Sequence, residues 1–212
     1  MTPIYAAASA AFLLVYQAGL YWIIKLFQRR RAFRDVNSVL DSRLPIIPAM
    51  VVPYVGSFVF WALTYYALAR AGDVFWPLAA AVLLGNTAAD LCFILWPTAM
   101  ERPPVTGRDP FSFVLRVVYF FDSPSNLFPS VHCLISCLCA LGVGTLPVAV
   151  VWKVLAHLLA LSIYASTVLV RQHRLADIPS GVGLALICWL LVLQIPALPA
   201  LAERIFTAVL YH

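Results

Sequence analysis

The sequence predicts an all-α membrane protein, a bundle of six transmembrane helices with an interfacial helix in the connector between the third and fourth spans. Of its 212 residues, 63% are hydrophobic and only 11% are charged. A soluble domain carries about 25% charged residues, so this composition excludes disordered, fibrous and water-soluble globular classes. The chain also holds six apolar runs, most of them near the roughly 20 residues that a helix needs to cross a bilayer.

The six runs define the predicted spans and occupy most of the chain. They cover residues 4–27, 46–69, 74–96, 130–148, 149–170 and 178–196. A Gly-Thr-Leu-Pro turn separates the fourth run from the fifth, which predicts a tight antiparallel hairpin. Residues 111–121 are too few to span and predict an interfacial or re-entrant helix. We expect one integral membrane domain over 1–212 with a catalytic core at about 86–196, and 197–212 fits either a surface helix or a partial span.

Positive charge is uneven between the two faces that six spans would create. The first connector carries Arg29, Arg30, Arg31, Arg34 and Arg43. The opposite face carries Arg70, Lys153 and Arg204. The positive-inside rule therefore places the first, third and fifth connectors in the cytoplasm, and we expect a bacterial plasma membrane. The first run lacks a basic segment before it and is expected to remain as an anchor.

Residues suited to phosphoryl transfer collect at the span ends on this same side. Arg102 follows the third span, Ser130 and His132 open the fourth, and His173 and Asp177 follow the fifth. The hairpin returns the end of the fifth span to the start of the fourth, so the two histidines are expected to meet. Guanidinium groups and helix N-terminal amides are suited to bind phosphate oxygens.

We expect His173 to attack phosphorus, because Asp177 would hold one ring nitrogen protonated if this stretch is helical. His132 would protonate the leaving oxygen and then activate water or an alcohol, a route that needs neither metal nor cofactor. The expected phosphate ligands are Arg102, Ser130, Arg108, Arg171 and Arg174.

Other polar residues admit two interpretations. Asp90, one turn after Asn86 inside the third span, would either contact an active-site arginine or join helices through polar contacts. Asn126 and Asp122 would orient the arginines or line the headgroup pocket, or they would only form the turn before the fourth span. Ser166 is a further candidate for a supporting role. The five cysteines lie in apolar stretches and are expected to be small core residues.

The ordered motifs resemble the type 2 phosphatidic acid phosphatase superfamily of integral membrane enzymes. Its pattern is KxxxxxxRP, PSxH and SRxxxxxHxxxD across a six-helix core. The matching residues here are Arg102 and Pro103, then Pro129, Ser130 and His132, then Ser166, His173 and Asp177. The resemblance implies that Arg102 and Ser130 bind phosphate. It further implies that His132 donates a proton and that Asp177 orients the nucleophile His173.

Two cationic positions of the family pattern are not filled. Leu95 stands at the position of the lysine and Thr167 at that of the arginine. Arg108, Arg171 or Arg174 would have to replace them. The degenerate pattern resembles the branch that contains inositol phosphorylceramide synthases, which move a phospho-headgroup between lipids. Transfer is therefore expected beside hydrolysis. Many family members place the site on the extracytoplasmic face, so that orientation also stays open.

The expected function is that of a lipid phosphatase or phosphotransferase in the membrane. Its substrate would be a phospholipid, a polyprenyl phosphate or a similar lipid, with an alcohol as acceptor in the transfer reaction. No nucleic-acid partner is expected, since basic and aromatic residues are not interleaved. The alternative is a transporter, flippase or scaffold that binds lipid phosphate without chemistry, but two histidines and Asp177 favour the enzyme. A membrane anchor for a partner protein would need a polar domain, which the sequence lacks.

Overall fold

The computed structural model describes residues 1–28, 33–35 and 38–210, and these are mostly helical. The helices are α1 (Pro3–Gln28), α2 (Val39–Ser42), α3 (Val51–Ala71), α4 (Phe75–Leu95), α5 (Pro110–Phe121), α6 (Val131–Thr145), α7 (Val150–Leu169), α8 (Asp177–Gln194) and α9 (Ala197–Leu210). Two short strands, β1 (Arg34–Asp35) and β2 (Thr98–Ala99), pair in parallel. Arg29, Arg30 and Arg31, part of the predicted orientation signal, lie outside the described residues.

Five helices in the described ranges are long and apolar enough to cross a bilayer: α1, α3 with the turn before it (Pro48–Ala71), α4, α7 and α8. The prediction of an all-α membrane protein is confirmed at this level. Helix α6 has only 15 residues, about 23 Å, which is shorter than the roughly 30 Å hydrocarbon layer. It ends early because Pro147 favours an extended conformation at Leu146, where ψ is 146°. The predicted span at 130–148 is therefore not confirmed.

Helix α6 lies at the centre of the bundle, in contact with α3, α4, α7 and α8. Its residues Leu134, Ile135 and Leu138 have no exposed surface. A close approach of α8 depends on Gly181, where a Cβ atom would lie 2.3 Å from the carbonyl oxygen of Ser130. The absence of a side chain at this glycine therefore lets α8 touch the start of α6. All five cysteines are free, and four of them are buried in the helices, in agreement with their predicted packing role.

Gly181→Ala is expected to displace the start of α6 and to lower stability. In an open helical position the change would stabilise by about 1 kcal/mol, but here the methyl group would overlap a backbone oxygen. We expect the midpoint of thermal unfolding to fall by about 3–10 °C. Gly183→Ala is the matched control, because nothing lies within 4 Å of a Cβ atom there. Equal midpoints for the two variants would contradict this packing.

The last residues of α4 and α7 and the first residues of α6 lie on one side of the bundle. The Asn126 amide donates to the carbonyl of Thr98 over 2.8 Å, and the Leu127 amide donates to the Thr98 hydroxyl over 3.0 Å. The segment that enters α6 is therefore held against the segment that leaves α4. The Ile47 amide donates to the carbonyl of Leu169 at 3.0 Å, which brings the end of α7 to the same side.

The predicted short helix at 111–121 is confirmed as α5. Asp109 caps its start by accepting from the Ser112 amide at 3.0 Å, and Pro110 occupies the first turn. Hydrogen bonds from Ser112 lower the pKa of the exposed Asp109 carboxyl. The tail, for which the sequence left two possibilities, forms α9 against α1 and α4 and buries Phe206 completely.

Candidate active site

The structure brings His132 and His173 together. Their ring centroids are 6.1 Å apart and the ring planes meet at 61°. His132 lies in the first turn of α6, and His173 lies in the turn between α7 and α8. Both side chains line a cavity of about 480 Å³ whose walls are mainly aromatic and aliphatic, which we call the apolar cavity. A ligand in this cavity can contact both imidazoles.

The His173 ring is oriented by a backbone carbonyl. Its Nδ1 atom lies 2.9 Å from the carbonyl oxygen of Leu127 and 3.5 Å from Oδ2 of Asp177. A carbonyl oxygen only accepts hydrogen bonds, so Nδ1 carries the proton and Nε2 of the neutral ring carries the lone pair. The carbonyl oxygen of Leu127 is therefore the closer partner of Nδ1, and the carboxylate of Asp177 is the more distant one.

His173 and Asp177 do not share a helical stretch, so the condition under which Asp177 was expected to orient the ring is not met. Helix α7 ends at Leu169 and α8 begins at Asp177. Arg171 adopts a left-handed conformation with φ of 53°, which ends the helical path. Asp177 instead closes the turn, because its Oδ2 accepts from the Arg174 amide at 2.8 Å.

Aromatic packing holds the His132 ring. It stacks on Tyr54 with centroids 4.3 Å apart, and the rings of Phe58 and Trp61 lie 5.7 and 5.3 Å away. Its Nε2 atom is buried and meets no hydrogen-bond partner among the residues that the structure describes. Buried polar atoms are nearly always paired in folded proteins, so this nitrogen is a candidate contact for a ligand.

Three carboxamides that line the apolar cavity have atoms without a partner in the described part of the chain, and two of them, Asn126 and Gln172, lie in the segments that carry the histidines. Asn126 is 3% exposed, and neither its Oδ1 nor its Nδ2 is paired there. It has a φ of 60°, a conformation that asparagine tolerates better than most residues. The Oε1 atom of Gln172 accepts from Nη2 of Arg102 at 2.6 Å, which leaves its buried Nε2 unpaired. Arginine only donates, so the orientation of this amide is fixed.

Arg102 joins the segments next to the two histidines through hydrogen bonds. Its Nε donates to the carbonyl of Arg171 at 3.0 Å and its Nη1 to the carbonyl of Asp122 at 2.6 Å. The guanidinium group also lies over the ring of Tyr119, 4.6 Å from its centroid. Burial lowers the pKa of Arg102, and the nearby carboxylate of Asp122 opposes this shift. Three of the five guanidinium N–H groups are thus used, which leaves two for a ligand.

Three arginines line a second cavity of about 380 Å³, which His173 also lines. They are Arg102, Arg171 and Arg174, and we call this space the arginine cavity. Arg171 donates to the carbonyls of Asp41 and Leu44, and Arg174 forms an ion pair with Asp41 at 3.4 Å. His173 lines both cavities. His173 is therefore shared by a mainly apolar cavity and by one that three arginines line together with Asp41 and Glu101.

Three predicted site residues lie away from both cavities. Ser130 is fully buried because its hydroxyl caps α6 by accepting from the Cys133 amide at 3.3 Å. Arg108 is exposed on the loop before α5. Ser166 donates to the carbonyl of Ile163 within α7 at 2.6 Å. The first two were expected to bind phosphate, and neither lines a cavity that His173 lines.

An ion pair from α1 reaches the site and was not predicted. Lys25 pairs with Oδ1 of Asp122, which also accepts from the hydroxyl of Tyr21 at 2.7 Å. Because the carbonyl of the same Asp122 holds Arg102, this pair helps to place the guanidinium group. In the sequence, Lys25 is a single lysine near the end of an apolar run. Such a lysine is equally well explained as a signal for the orientation of the helix in the membrane.

Among the residues that the structure describes, Asp90 shows neither of the two predicted contacts. Nδ2 of Asn86 donates to its Oδ2 at 2.8 Å within the same helix, so the contact joins neither two helices nor an arginine. Both side chains line the apolar cavity. Within the described residues, no group of three or more His, Cys, Asp or Glu side chains could hold a metal ion.

The chain matches no protein-family model, no curated protein and no solved structure. Function is therefore inferred from the residues of the site itself. Those residues offer imidazole, guanidinium and amide groups, a set that suits an anion and proton transfer.

Proposed function

We propose that this protein is a membrane enzyme that removes or transfers a phosphate-bearing group of a lipid through a phosphohistidine at His173. One observation carries the proposal: His173 lines both the apolar cavity and the arginine cavity, and its Nδ1 lies against the Leu127 carbonyl. The lipid chain would occupy the apolar cavity and the phosphate would lie at the ring. Nε2 would then face phosphorus as the nucleophile.

The reaction would run in two displacement steps. In the first, the Nε2 lone pair of His173 forms a bond to phosphorus while the bond from phosphorus to the lipid oxygen breaks. That oxygen leaves with the electron pair and takes a proton from the protonated His132. In the second, water or an alcohol attacks phosphorus and gives its proton to His132, and the electron pair of the P–N bond returns to Nε2.

Positive charge and amide donors would hold the phosphate. Every acceptor that Arg102 and Arg171 contact in the described part of the chain is neutral, so no hydrogen-bonded carboxylate offsets these two charges. Arg174 would add to this field from the same cavity. The unpaired amide groups of Gln172 and Asn126 would donate to phosphoryl oxygens. These groups would replace the lysine and arginine that the family pattern has at Leu95 and Thr167.

The proposal extends to the arrangement in the membrane. Helix α6 would make the sixth crossing together with the buried residues before it, and α5 would lie at the interface with its exposed aromatic side chains toward lipid. Under the positive-inside rule the site would lie on the cytoplasmic face. The resemblance to the type 2 phosphatidic acid phosphatase superfamily agrees with this arrangement of spans. A lipid would enter laterally between helices, since its chains stay in hydrocarbon.

Turnover of a lipid panel tests the proposal against a transporter or scaffold. Purified protein would receive phosphatidate, lysophosphatidate and polyprenyl phosphate, each with and without inositol or diacylglycerol as acceptor and with and without chelator. We expect release or transfer of phosphate from at least one lipid, and this activity should persist in chelator. Saturable lipid binding with no turnover of any member would support the non-enzymatic alternative.

Gln172→Met is expected to lower kcat by about 10²-fold, the usual effect of losing one donor to a developing charge. The variant keeps a side chain of similar volume, and Arg102 retains its two carbonyl acceptors, so folding should persist. The measurement is steady-state turnover of the best lipid found in the panel. Gln194→Met, at the exposed end of α8, is the matched control and should keep full activity. Unchanged kcat in Gln172→Met would remove Gln172 from the phosphate site.

A further inference from the structure

A second polar group lies in the apolar cavity, on the walls formed by α1 and α4. It consists of Gln17, Asn86 and Asp90, whose side chains line the cavity. They are buried within the protein, with exposed fractions of 7%, 1% and 5%. Phosphoryl transfer at His173 does not use them, and polar side chains at this depth in an apolar helix are expensive. Their presence therefore points to a ligand group with matching hydrogen bonds.

This polar group lies deeper in the bundle than the histidines. Asp90 and Asn86 precede the end of α4 at Leu95 by five and nine residues, or about 8 and 14 Å along the axis. The end of α4 is level with the start of α6, because Thr98 holds the segment that leads to His132. The neighbour of Gln17, Tyr16, has its hydroxyl 2.6 Å from that of Thr87, so Gln17 lies at the depth of the α4 pair.

The unused hydrogen-bonding capacity of this group is that of an acceptor. Within the described ranges Asp90 receives one hydrogen bond, from Asn86 at 2.8 Å, and a carboxylate has about four acceptor positions. Gln17 donates through Nε2 to the hydroxyl of Tyr65 at 2.6 Å. Its Oε1 is buried without a partner in the ranges that the structure describes. A ligand that satisfies these oxygens must bring hydrogen-bond donors.

We propose that Gln17, Asn86 and Asp90 form a subsite for a hydrogen-bond donor that the lipid carries just below its phosphate. The inference rests on the proposed function and narrows its substrate class. The attacking nitrogen lies about 3 Å from phosphorus in a reactive complex, and a group on the second carbon lies a few ångström further, near the depth of Asp90. A free hydroxyl, an amide N–H or an amine at that carbon would donate to the subsite.

The requirement for a hydrogen-bond donor distinguishes three kinds of lipid phosphate. A lipid with two ester-linked chains offers only ester oxygens below its phosphate, and these accept but do not donate. A polyprenyl phosphate offers no polar group there at all. A single-chain lipid phosphate with a free hydroxyl on the second carbon supplies the required donor. The subsite should therefore favour donor-bearing lipids over both other kinds.

The direct test compares two non-hydrolysable phosphonate lipids that differ only in the hydroxyl of the second carbon. Both would be single-chain analogues of lysophosphatidate, one with that hydroxyl and one without, and their Kd values would be measured on the purified full chain in detergent. We expect the hydroxyl analogue to bind about tenfold more tightly, the effect of one additional hydrogen bond in a buried site. The ratio should fall toward one in Asp90→Leu and decrease in Gln17→Met. The exposed control Gln194→Met should keep the wild-type ratio of the two Kd values.

Equal affinity of the wild-type chain for the two analogues would overturn the subsite. An affinity ratio that survives both Asp90→Leu and Gln17→Met would overturn it as well. Since binding is measured, a chain without turnover still reports on the subsite. Turnover of hydroxyl and deoxy lipid phosphates with equal kcat/KM would reject the subsite while leaving the proposed function in place. If neither phosphonate binds, the subsite and the proposed lipid site both fail.

Discussion

His173→Ala is expected to lower the turnover of a lipid phosphate by about 10⁴-fold or more, the range for removal of a catalytic nucleophile. The imidazole would form the covalent bond to phosphorus, and no neighbouring side chain has its nitrogen aligned against the Leu127 carbonyl in the same way. The side chain is small and lies in a turn beside two cavities, so its removal should leave the bundle folded. Lipid binding should persist, because the chain site and the phosphate donors remain.

His157→Ala is the matched control for that variant. His157 is exposed on α7, at least two turns from the helix end that reaches the site, and its Nδ1 lies 2.8 Å from the carbonyl of Lys153. We expect this control to keep wild-type activity. Turnover by His173→Ala at a comparable rate would remove His173 from the mechanism. Loss of lipid binding in parallel with turnover would assign His173 to binding instead of chemistry.

His132→Ala is expected to lower turnover of a natural lipid phosphate by about 10²–10⁴-fold, the usual contribution of a general acid. The size of the loss should depend on the leaving group. An alkoxide needs a proton as it departs, whereas a nitrophenolate leaves readily without one. With a lipid-like nitrophenyl phosphate ester, release of nitrophenol in the first turnover should therefore be nearly as fast as in the wild-type chain.

The comparison of the two substrates separates a proton donor from a packing residue. His132 stacks on Tyr54 at 4.3 Å, so its loss also opens space beside the cavity. A packing defect would slow both substrates by the same factor. Equal losses for the alkyl and nitrophenyl esters would contradict the role of His132 as proton donor.

Much of the fold could be predicted because apolar composition determines which segments can lie in a bilayer. Helices α1, α3, α4, α7 and α8 follow the predicted runs within a few residues. Helix α6 also follows its run, but it ends at Thr145 before Pro147, and its 15 residues are too few to cross a bilayer alone. The meeting of His132 and His173 was also predictable, since a short turn between two antiparallel helices returns one end to the other.

The orientation of His173 could not be predicted from residue types. Its partner is the carbonyl of Leu127, a backbone group that every residue possesses and that lies 46 positions away. The local pattern pointed to Asp177 instead, because a spacing of four suggests a helix. The left-handed conformation of Arg171 interrupts that helix, and an arginine gives no signal for such a conformation.

The arginines illustrate a second limit. Arg102 and Arg171 were expected to bind phosphate through their guanidinium groups, and both lie at the site. Their N–H groups nevertheless bind backbone carbonyls that hold the connecting segments in place. Sequence alone does not distinguish these two uses of one donor group. Gln172 was overlooked for the opposite reason, since an amide next to a motif histidine becomes notable only when its Nε2 is found unpaired in the cavity.

The most direct measurement is the location of phosphate on the chain during turnover. His132→Ala would react with the nitrophenyl ester, because its first step should be fast and its second step, which needs a base, should be slow. After quenching in alkali, which preserves phosphohistidine, mass spectrometry of peptides would locate the modification. The account predicts phosphate on His173, in an amount equal to the nitrophenol released in the first turnover. Release of nitrophenol without phosphate on His173, or with phosphate on another residue, would contradict it.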